Sequence, residues 1–347
     1  MTTIYPLSQL GWTAFFQQQL NLDEWTDATP ARVMAQHRSR LELLCEQGPI
    51  DLPITAAMPP LTVGDWLLLN ADHSYGRALE RLSVFSRKAA GSKVSEQLIA
   101  ANVDTVFITT ALNRNFNLNR IERYLAPTRE AGAEAVVVLT QADLCEHPDD
   151  FRQQVQALDP MLMVETVNAL DASSTAVLQP WCRAGQTVAL LGSSGVGKST
   201  LINTLLGQHN QQTGAARGAD DKGRHTTTGR SLWLIPDGGL LLDTPGMREL
   251  QLAGCESGIE ETFADISELI RQCRYNDCQH GNEPGCAVQA TIESAQLDER
   301  RFANYQKLMR EQAHNSASLA ERRAKERDFS RYCRSVMDQS KRHKQGR

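Results

Sequence analysis

The rhythm of apolar and polar positions changes several times along the chain, and each change predicts a different kind of structure. Over residues 1–29 the apolar side chains Leu7, Leu10, Phe15, Phe16 and Leu20 suit one face of a short amphipathic helix, followed by a polar connection ending in Thr29-Pro30. From residue 31 to about 95 the apolar runs are short and broken by turn residues, as in Val63-Gly64-Asp65-Trp66-Leu67-Leu68-Leu69 and Leu82-Ser83-Val84-Phe85. With no helical period between them, they predict a small β-barrel. Beyond residue 100 buried-type strands alternate with helical stretches: Thr105-Val106-Phe107-Ile108, Ala135-Val136-Val137-Val138-Leu139 and Thr187-Val188-Ala189-Leu190-Leu191. Such alternation predicts a parallel α/β sheet. Two further strands, at 232–235 and 239–242, read as a hairpin turning at Pro236-Asp237-Gly238-Gly239, and the last hundred residues turn helical around a Cys/His knot. The expected organisation is an arm at 1–30, an oligonucleotide-binding-like (OB-like) barrel at 31–97, an α/β domain at 98–250, a helical metal-binding domain at 251–310 and a basic helical tail at 311–347.

Composition narrows the class. At 347 residues, 41% hydrophobic and 22% charged, the chain is an ordinary globular protein and neither disordered nor fibrous. No stretch approaches the roughly 18 consecutive apolar residues of a membrane span. The start lacks the basic flank and apolar run of a signal peptide, so a cytoplasmic protein with no membrane role is expected. The net charge of −5 is unevenly spread: residues 301–347 hold 13 Lys/Arg against 5 Asp/Glu, a local +8, leaving −13 for the rest. A basic tail on an acidic body suits a localised contact with a polyanion, the plain alternative being a solvated helical face. Arg77, Arg81, Arg87, Lys88 and Lys93 gather near the end of the barrel, as an oligonucleotide-binding barrel would have them.

The chemistry concentrates in four places. Gly192-Ser193-Ser194-Gly195-Val196-Gly197-Lys198-Ser199 fits the phosphate-loop pattern without a gap, between an apolar strand and a helix opening at Thr200. Its glycines let backbone N–H groups wrap the phosphates and the helix N-terminus favours negative charge. Lys198 is expected to hold the outer phosphates and Ser199 to give its hydroxyl to magnesium. Downstream, Leu240-Leu241-Leu242-Asp243-Thr244-Pro245-Gly246 ends a strand in an aspartate able to reach the magnesium shell, followed by a glycine whose N–H can sense a γ-phosphate. Between them lies a polar stretch at 213–230 containing Arg224-His225-Thr226-Thr227-Thr228, where one of the threonines is expected to close over magnesium.

Cys273-x4-Cys278-x-His280-x5-Cys286 offers three thiolates and one imidazole, a complete tetrahedral set for one structural zinc with no position left for catalysis. Iron–sulfur ligation would more often use four cysteines. The other cysteines, at 45, 145, 182, 255 and 333, are scattered singly.

A guanine-reading loop is expected downstream of a phosphate loop, yet the matching residues lie upstream. Val136-Val137-Val138-Leu139 runs into Thr140-Gln141-Ala142-Asp143, where Asp143 can accept from the guanine N1–H and exocyclic amine, a pair of donors that adenine lacks. Further on, Asn168-Ala169 reads as the companion loop that presents a backbone N–H to the base carbonyl. The order of base reader, companion loop, phosphate loop and two switches is a circular permutation of the usual one.

This order, the Arg-His-Thr-Thr-Thr run and the Cys/His knot after the second switch resemble the small ribosomal subunit biogenesis GTPase family RsgA/YjeQ, over residues from about 31 to 310. The resemblance implies an OB-like barrel, a circularly permuted GTPase domain and a zinc-binding helical domain. It also implies GTP hydrolysis stimulated by the small ribosomal subunit and its rRNA, with attachment promoted by GTP and release by hydrolysis to GDP. Gln141 and Asn168 depart from the lysine and serine usual in their loops. Met247 stands where many GTPases place a water-orienting glutamine, and a thioether cannot do that job, so another residue or a partner must hold the attacking water, His225 being the candidate. The expected catalytic set is thus Lys198, His225 and Thr227, acting in a monomer with no DNA partner. The alternatives are an ATP-using phosphate-loop enzyme and a noncatalytic RNA-binding zinc protein.

Overall fold

The computed structural model describes residues 4–88, 96–207, 230–236, 238–244, 247, 252–281 and 283–316. The arm is not one helix but two short ones, α1 (Ala14–Gln17) and α2 (Leu22–Asp27). The break has a local cause. Asn21 accepts from the Glu24 N–H while the Glu24 carboxylate accepts from the Asn21 N–H, a capping box that starts a new helix.

Seven strands follow: β1 (Thr29–Gln36), β2 (Arg40–Cys45), β3 (Gly48–Pro53), β4 (Trp66–Leu69), β5 (Tyr75–Ala78), β6 (Val84–Lys88) and β7 (Glu96–Ala101). Hydrogen bonding runs β3-β2-β1-β4-β5, the order of an OB-type barrel, with no β3–β5 pairing among the described residues. Period-two alternation builds its interior from Ala31, Val33, Leu41, Leu43, Cys45, Leu67 and Leu69. The intervening Leu44, Trp66 and Leu68 point the other way, where Leu10 and Phe16 of the arm cover them. Both faces of β4 are therefore buried. Strands β6 and β7 form a separate antiparallel hairpin.

Of the barrel arginines expected to face a polyanion, Arg77 and Arg81 are engaged in ion pairs within the chain. Arg77 pairs with Glu24 at 2.6 and 2.9 Å and donates to the Gln19 carbonyl, tying the arm to the barrel. Arg81 pairs with buried Asp65 at 2.6 and 2.9 Å. The spacing of basic residues signalled charge; only the fold decided what met it. Lys93 lies outside the described residues. A third arginine, Arg32, is fully buried and donates to the carbonyls of Leu10, Gly64 and Asn102, joining the arm, the barrel and the chain leading into the next domain. Burial pushes its guanidinium down to about 10, with Asp104 and Asp65 opposing.

The α/β domain comprises β8 (Thr105–Ala111), α3 (Leu118–Glu130), β9 (Glu134–Thr140), α4 (Pro148–Gln156), β10 (Met163–Thr166), α5 (Ala172–Thr175), β11 (Thr187–Leu191), α6 (Lys198–Leu205), β12 (Arg230–Leu234) and β13 (Leu240–Asp243). The order β10-β9-β8-β11-β13 is wholly parallel, and β12 closes it as the antiparallel partner of both β13 and β1. One sheet thus runs from the nucleotide domain into the barrel. Val106, Ile108, Val137, Leu139, Ala189 and Leu191 face the side where α3 packs, while Phe107, Val136, Val138, Val188 and Leu190 face α6. Burial on both faces explains their near-continuous apolar runs. Strand β10 gave no such signal because it is a four-residue edge with Met163 46% exposed.

Four helices complete the described chain: α7 (Glu256–Thr262), α8 (Ala264–Arg271), α9 (Ala287–Glu293) and α10 (Glu299–Ser316). Their core of Ile259, Phe263, Ile266, Val288, Phe302 and Leu308 includes Ala126 of α3. Helix α7 meets α3 at Gly258, where a Cβ would lie 2.0 Å from the Ala126 carbonyl oxygen. Only glycine permits that approach.

Candidate nucleotide site and metal centre

The phosphate loop leaves the end of β11 through Gly192, whose φ of 151° suits glycine and whose Cβ, were there one, would sit 2.3 Å from the Thr109 carbonyl. Val196 is buried and anchors the loop, leaving Ser194 and Gly195 exposed at its mouth. Lys198 is also buried, and its ammonium donates to the carbonyls of Gly192, at 2.7 Å, and Ser193. Two carbonyls of the loop thus hold the lysine ammonium over it. Ser199 and Thr200 are half-buried in the first turn of α6.

The register of β11 with β13, Ala189 against Leu242, sets Asp243 at the carboxyl end of the strand beside the loop. Thr244 follows, buried, and Met247 is 1% exposed within the core under α3. Gly246, His225 and Thr227 lie outside the described residues.

On the other side, β9 ends at Thr140. Its fully buried hydroxyl donates to the Val196 carbonyl at 2.7 Å, a direct bond between the candidate base reader and the phosphate loop. Gln141 takes a left-handed φ of 61°, and its side-chain oxygen accepts from the Asn113 amide at 2.7 Å. The Ala142 N–H donates to the Val167 carbonyl, leaving Asp143 exposed in a 3-10 turn. The companion loop is braced twice. The Asn168 N–H donates to Ser174 Oγ at 2.8 Å, and the Ala169 carbonyl accepts from Thr204 Oγ1 of α6 at 2.7 Å. Segments 140–143, 168–169, 192–200 and Asp243 thus gather along the carboxyl edge of one parallel sheet, where ligands of such sheets bind.

Two neighbours escaped sequence reasoning. Asn113 holds Gln141, and Arg120, in the first turn of α3, donates to Ser193 Oγ at 3.2 Å. The one signal for them was their place just after β8, another strand ending at the same edge.

The Cys/His residues assemble as a separate centre. One ligand atom from each of Cys273, Cys278, His280 and Cys286 lies within 4.8 Å of every other. Cys273 Sγ is 4.0 Å from Cys286 Sγ and 3.5 Å from His280 Nδ1, and Cys286 Sγ is 3.7 Å from the same nitrogen. A tetrahedral ion with bonds of about 2.3 Å to sulfur and about 2.0 Å to nitrogen sets these separations at about 3.8 and about 3.5 Å, so the donor set fits a metal. The site is built for it: Glu283 accepts from the N–H groups of Gln279 and Gly281, and the Gln289 side chain donates to the His280 carbonyl. Cys286 doubles as the N-cap of α9.

A parallel sheet with a phosphate loop at its edge, a barrel stitched to one side and the base-reading loop placed before the phosphate loop in the chain is the architecture of a circularly permuted GTPase. Solved structures agree on the fold: YjeQ from Thermotoga maritima matches with a TM-score of 0.61 at 22% identity, covering 81% of this chain and 97% of that one. YloQ, described as a circularly permuted GTPase, matches with a TM-score of 0.56 at 21% identity over 82% and 95%. The RsgA GTPase family profile spans residues 78–253. The chain is 59% identical to small ribosomal subunit biogenesis GTPase RsgA 2 of Vibrio parahaemolyticus, over 99% of this chain and 96% of that protein. It is 47% identical to RsgA of Mesorhizobium japonicum over 89% and 91%. The chain belongs to the RsgA GTPase family.

Proposed function

We propose that this chain is a cytoplasmic, monomeric GTPase that binds the small ribosomal subunit, assists or checks its late assembly, and is released when GTP is hydrolysed to GDP. The observation that carries this reading is 59% identity, over nearly the full length of both chains, to a protein named for that role.

Within it, Asp143 accepts from the guanine N1–H and exocyclic amine, and the backbone at Asn168-Ala169 meets the base carbonyl. Residues Gly192 to Thr200 wrap the phosphates, and Lys198 neutralises charge that grows on the β- and γ-oxygens in the transition state. Ser199, Asp243 and a switch threonine such as Thr227 would hold Mg2+, which would supply further charge neutralisation there. Met247 is buried and apolar, so orientation of the attacking water falls to His225. The Gly246 N–H reports the γ-phosphate to the second switch. The Cys273, Cys278, His280 and Cys286 set holds one structural Zn2+. The proposed division of the chain is an arm at 1–30, a barrel at 31–97, the GTPase domain at 98–250, the zinc domain at 251–310 and a basic tail at 311–347. Just before the tail, α10 presents Lys307 and Arg310 to solvent, and with the remaining basic residues it grips rRNA phosphates.

Turnover of GTP and of ATP, each with and without purified small subunits, tests the reading. GTP hydrolysis that rises on adding subunits, with ATP inert, is the expected result. Equal turnover of both nucleotides, or none under any condition, overturns it.

A further inference from the structure

Helix α3 touches the phosphate loop at one end and carries the C-terminal helices along its side. In its first turn Arg120 donates to Ser193 Oγ at 3.2 Å and to the Asn115 carbonyl at 3.3 Å. The adjacent Asn119 accepts from Arg300 through its side chain and from Asn304 through its carbonyl. On the next two positions Ile121 packs into the core of the α/β domain, and Glu122 turns toward α10.

Glu122 is fully buried and accepts from Arg301 at 2.8 Å, from Arg300 at 3.0 and 3.3 Å, and from Asn304. Arg301 in turn pairs with Asp265 at 2.7 and 2.9 Å and lies over the Phe263 ring, so α8 and the residue before it share the same anchor. One turn of helix therefore connects Ser193 of the phosphate loop to the seat of α10. A buried carboxylate with this many donors holds a single geometry, because any shift strands a charge away from water.

We infer that Arg120 is a positioning residue for the phosphate loop, and that through α3 it couples nucleotide occupancy to the packing of α10. The inference rests on the phosphate loop being the GTP site. When phosphates fill the loop, Ser193 is held, Arg120 is held with it, and Asn119 and Glu122 are fixed against Arg300, Arg301 and Asn304. Coupling of this kind is reciprocal, so loosening α10 weakens nucleotide binding by the same factor.

Hydrogen exchange of the full chain, with and without GDP, tests this. GDP is expected to slow exchange in residues 299–316 by about fivefold or more. Arg120→Ala, which removes the contact, is expected to abolish that slowing while GDP still binds at saturating concentration, and Arg120→Lys to restore part of it. The inference is overturned if GDP leaves exchange at 299–316 unchanged in the unaltered chain, or if Arg120→Ala keeps the full effect. Failure of the unaltered chain to bind GDP at all overturns the functional reading instead, a result distinct from either.

Discussion

Thr140 Oγ1 donates to the Val196 carbonyl at 2.7 Å, joining the end of β9 to the phosphate loop across 56 positions of sequence. Because β8 lies between β9 and β11, no backbone ladder connects these two segments, and this buried side chain spans the gap. The candidate base-reading loop and the phosphate loop are thereby tied directly to each other.

Thr140→Val keeps the shape and removes the donor, leaving the Val196 carbonyl unpaired. A loss of about 1–2 kcal/mol is expected, which lowers GDP affinity roughly tenfold. Titration calorimetry checks this, and unchanged affinity would show the bond to be dispensable.

Asp143→Asn replaces an acceptor-only carboxylate with an amide that offers donors. Guanine nucleotide affinity is expected to fall about 100-fold, corresponding to about 2.7 kcal/mol for two charge-assisted bonds. Xanthine nucleotides, which present a carbonyl where guanine has its amine, are expected to bind the variant better than guanine does. Competition between the two nucleotides reads the exchange directly.

Removal of the metal is expected to unfold the C-terminal helices selectively. Cys286 is both a candidate ligand and the N-cap of α9, and His280 packs edge-on against Phe302 of α10 at 6.0 Å. A chelator, or Cys278→Ala, should reduce helical circular dichroism and release one metal ion per chain, with elemental analysis identifying zinc. Full helicity after complete metal loss would contradict this.

The arm should loosen in acid. The Arg77 guanidinium, with the Asn21 N–H, holds the Glu24 carboxyl down to about 2 from 4.5. Since the folded value lies below the unfolded one, the contribution of this pair is complete above about pH 4.5 and is lost as the pH falls toward 2. Trp12, which meets Trp66 edge-on at 4.9 Å, reports the contact through its fluorescence. Glu24→Gln is expected to remove the acid-dependent step, and a step that persisted in this variant would assign it to another group.

Much of the candidate site is legible in the chain itself. Gly192 to Ser199 form a contiguous loop whose backbone demands are written in glycines, and the four metal ligands lie close enough in sequence to close around one ion. Local chemistry carries local signals. Strand β10, by contrast, is a short exposed edge without a burial pattern, and the split of the arm into α1 and α2 depends on a capping box and on the pocket that Leu10 and Phe16 fill.

By itself the sequence determined the candidates for the chemistry: a phosphate-loop pattern, an aspartate ahead of it proposed to read guanine, and a Cys/His knot with metal-ligand spacing, because each needs particular side chains at short spacing. Only the tertiary structure decided which acidic partners the arginines meet, with Arg77 and Arg81 drawn into ion pairs with Glu24 and Asp65, and Arg300 and Arg301 onto Glu122. It also decided that Arg120 meets Ser193 and that Thr140 meets Val196. The reason is physical: a partner distant in the chain leaves no trace in spacing or periodicity, and its identity is set by the packing of strands and helices that brings the two groups within bonding distance.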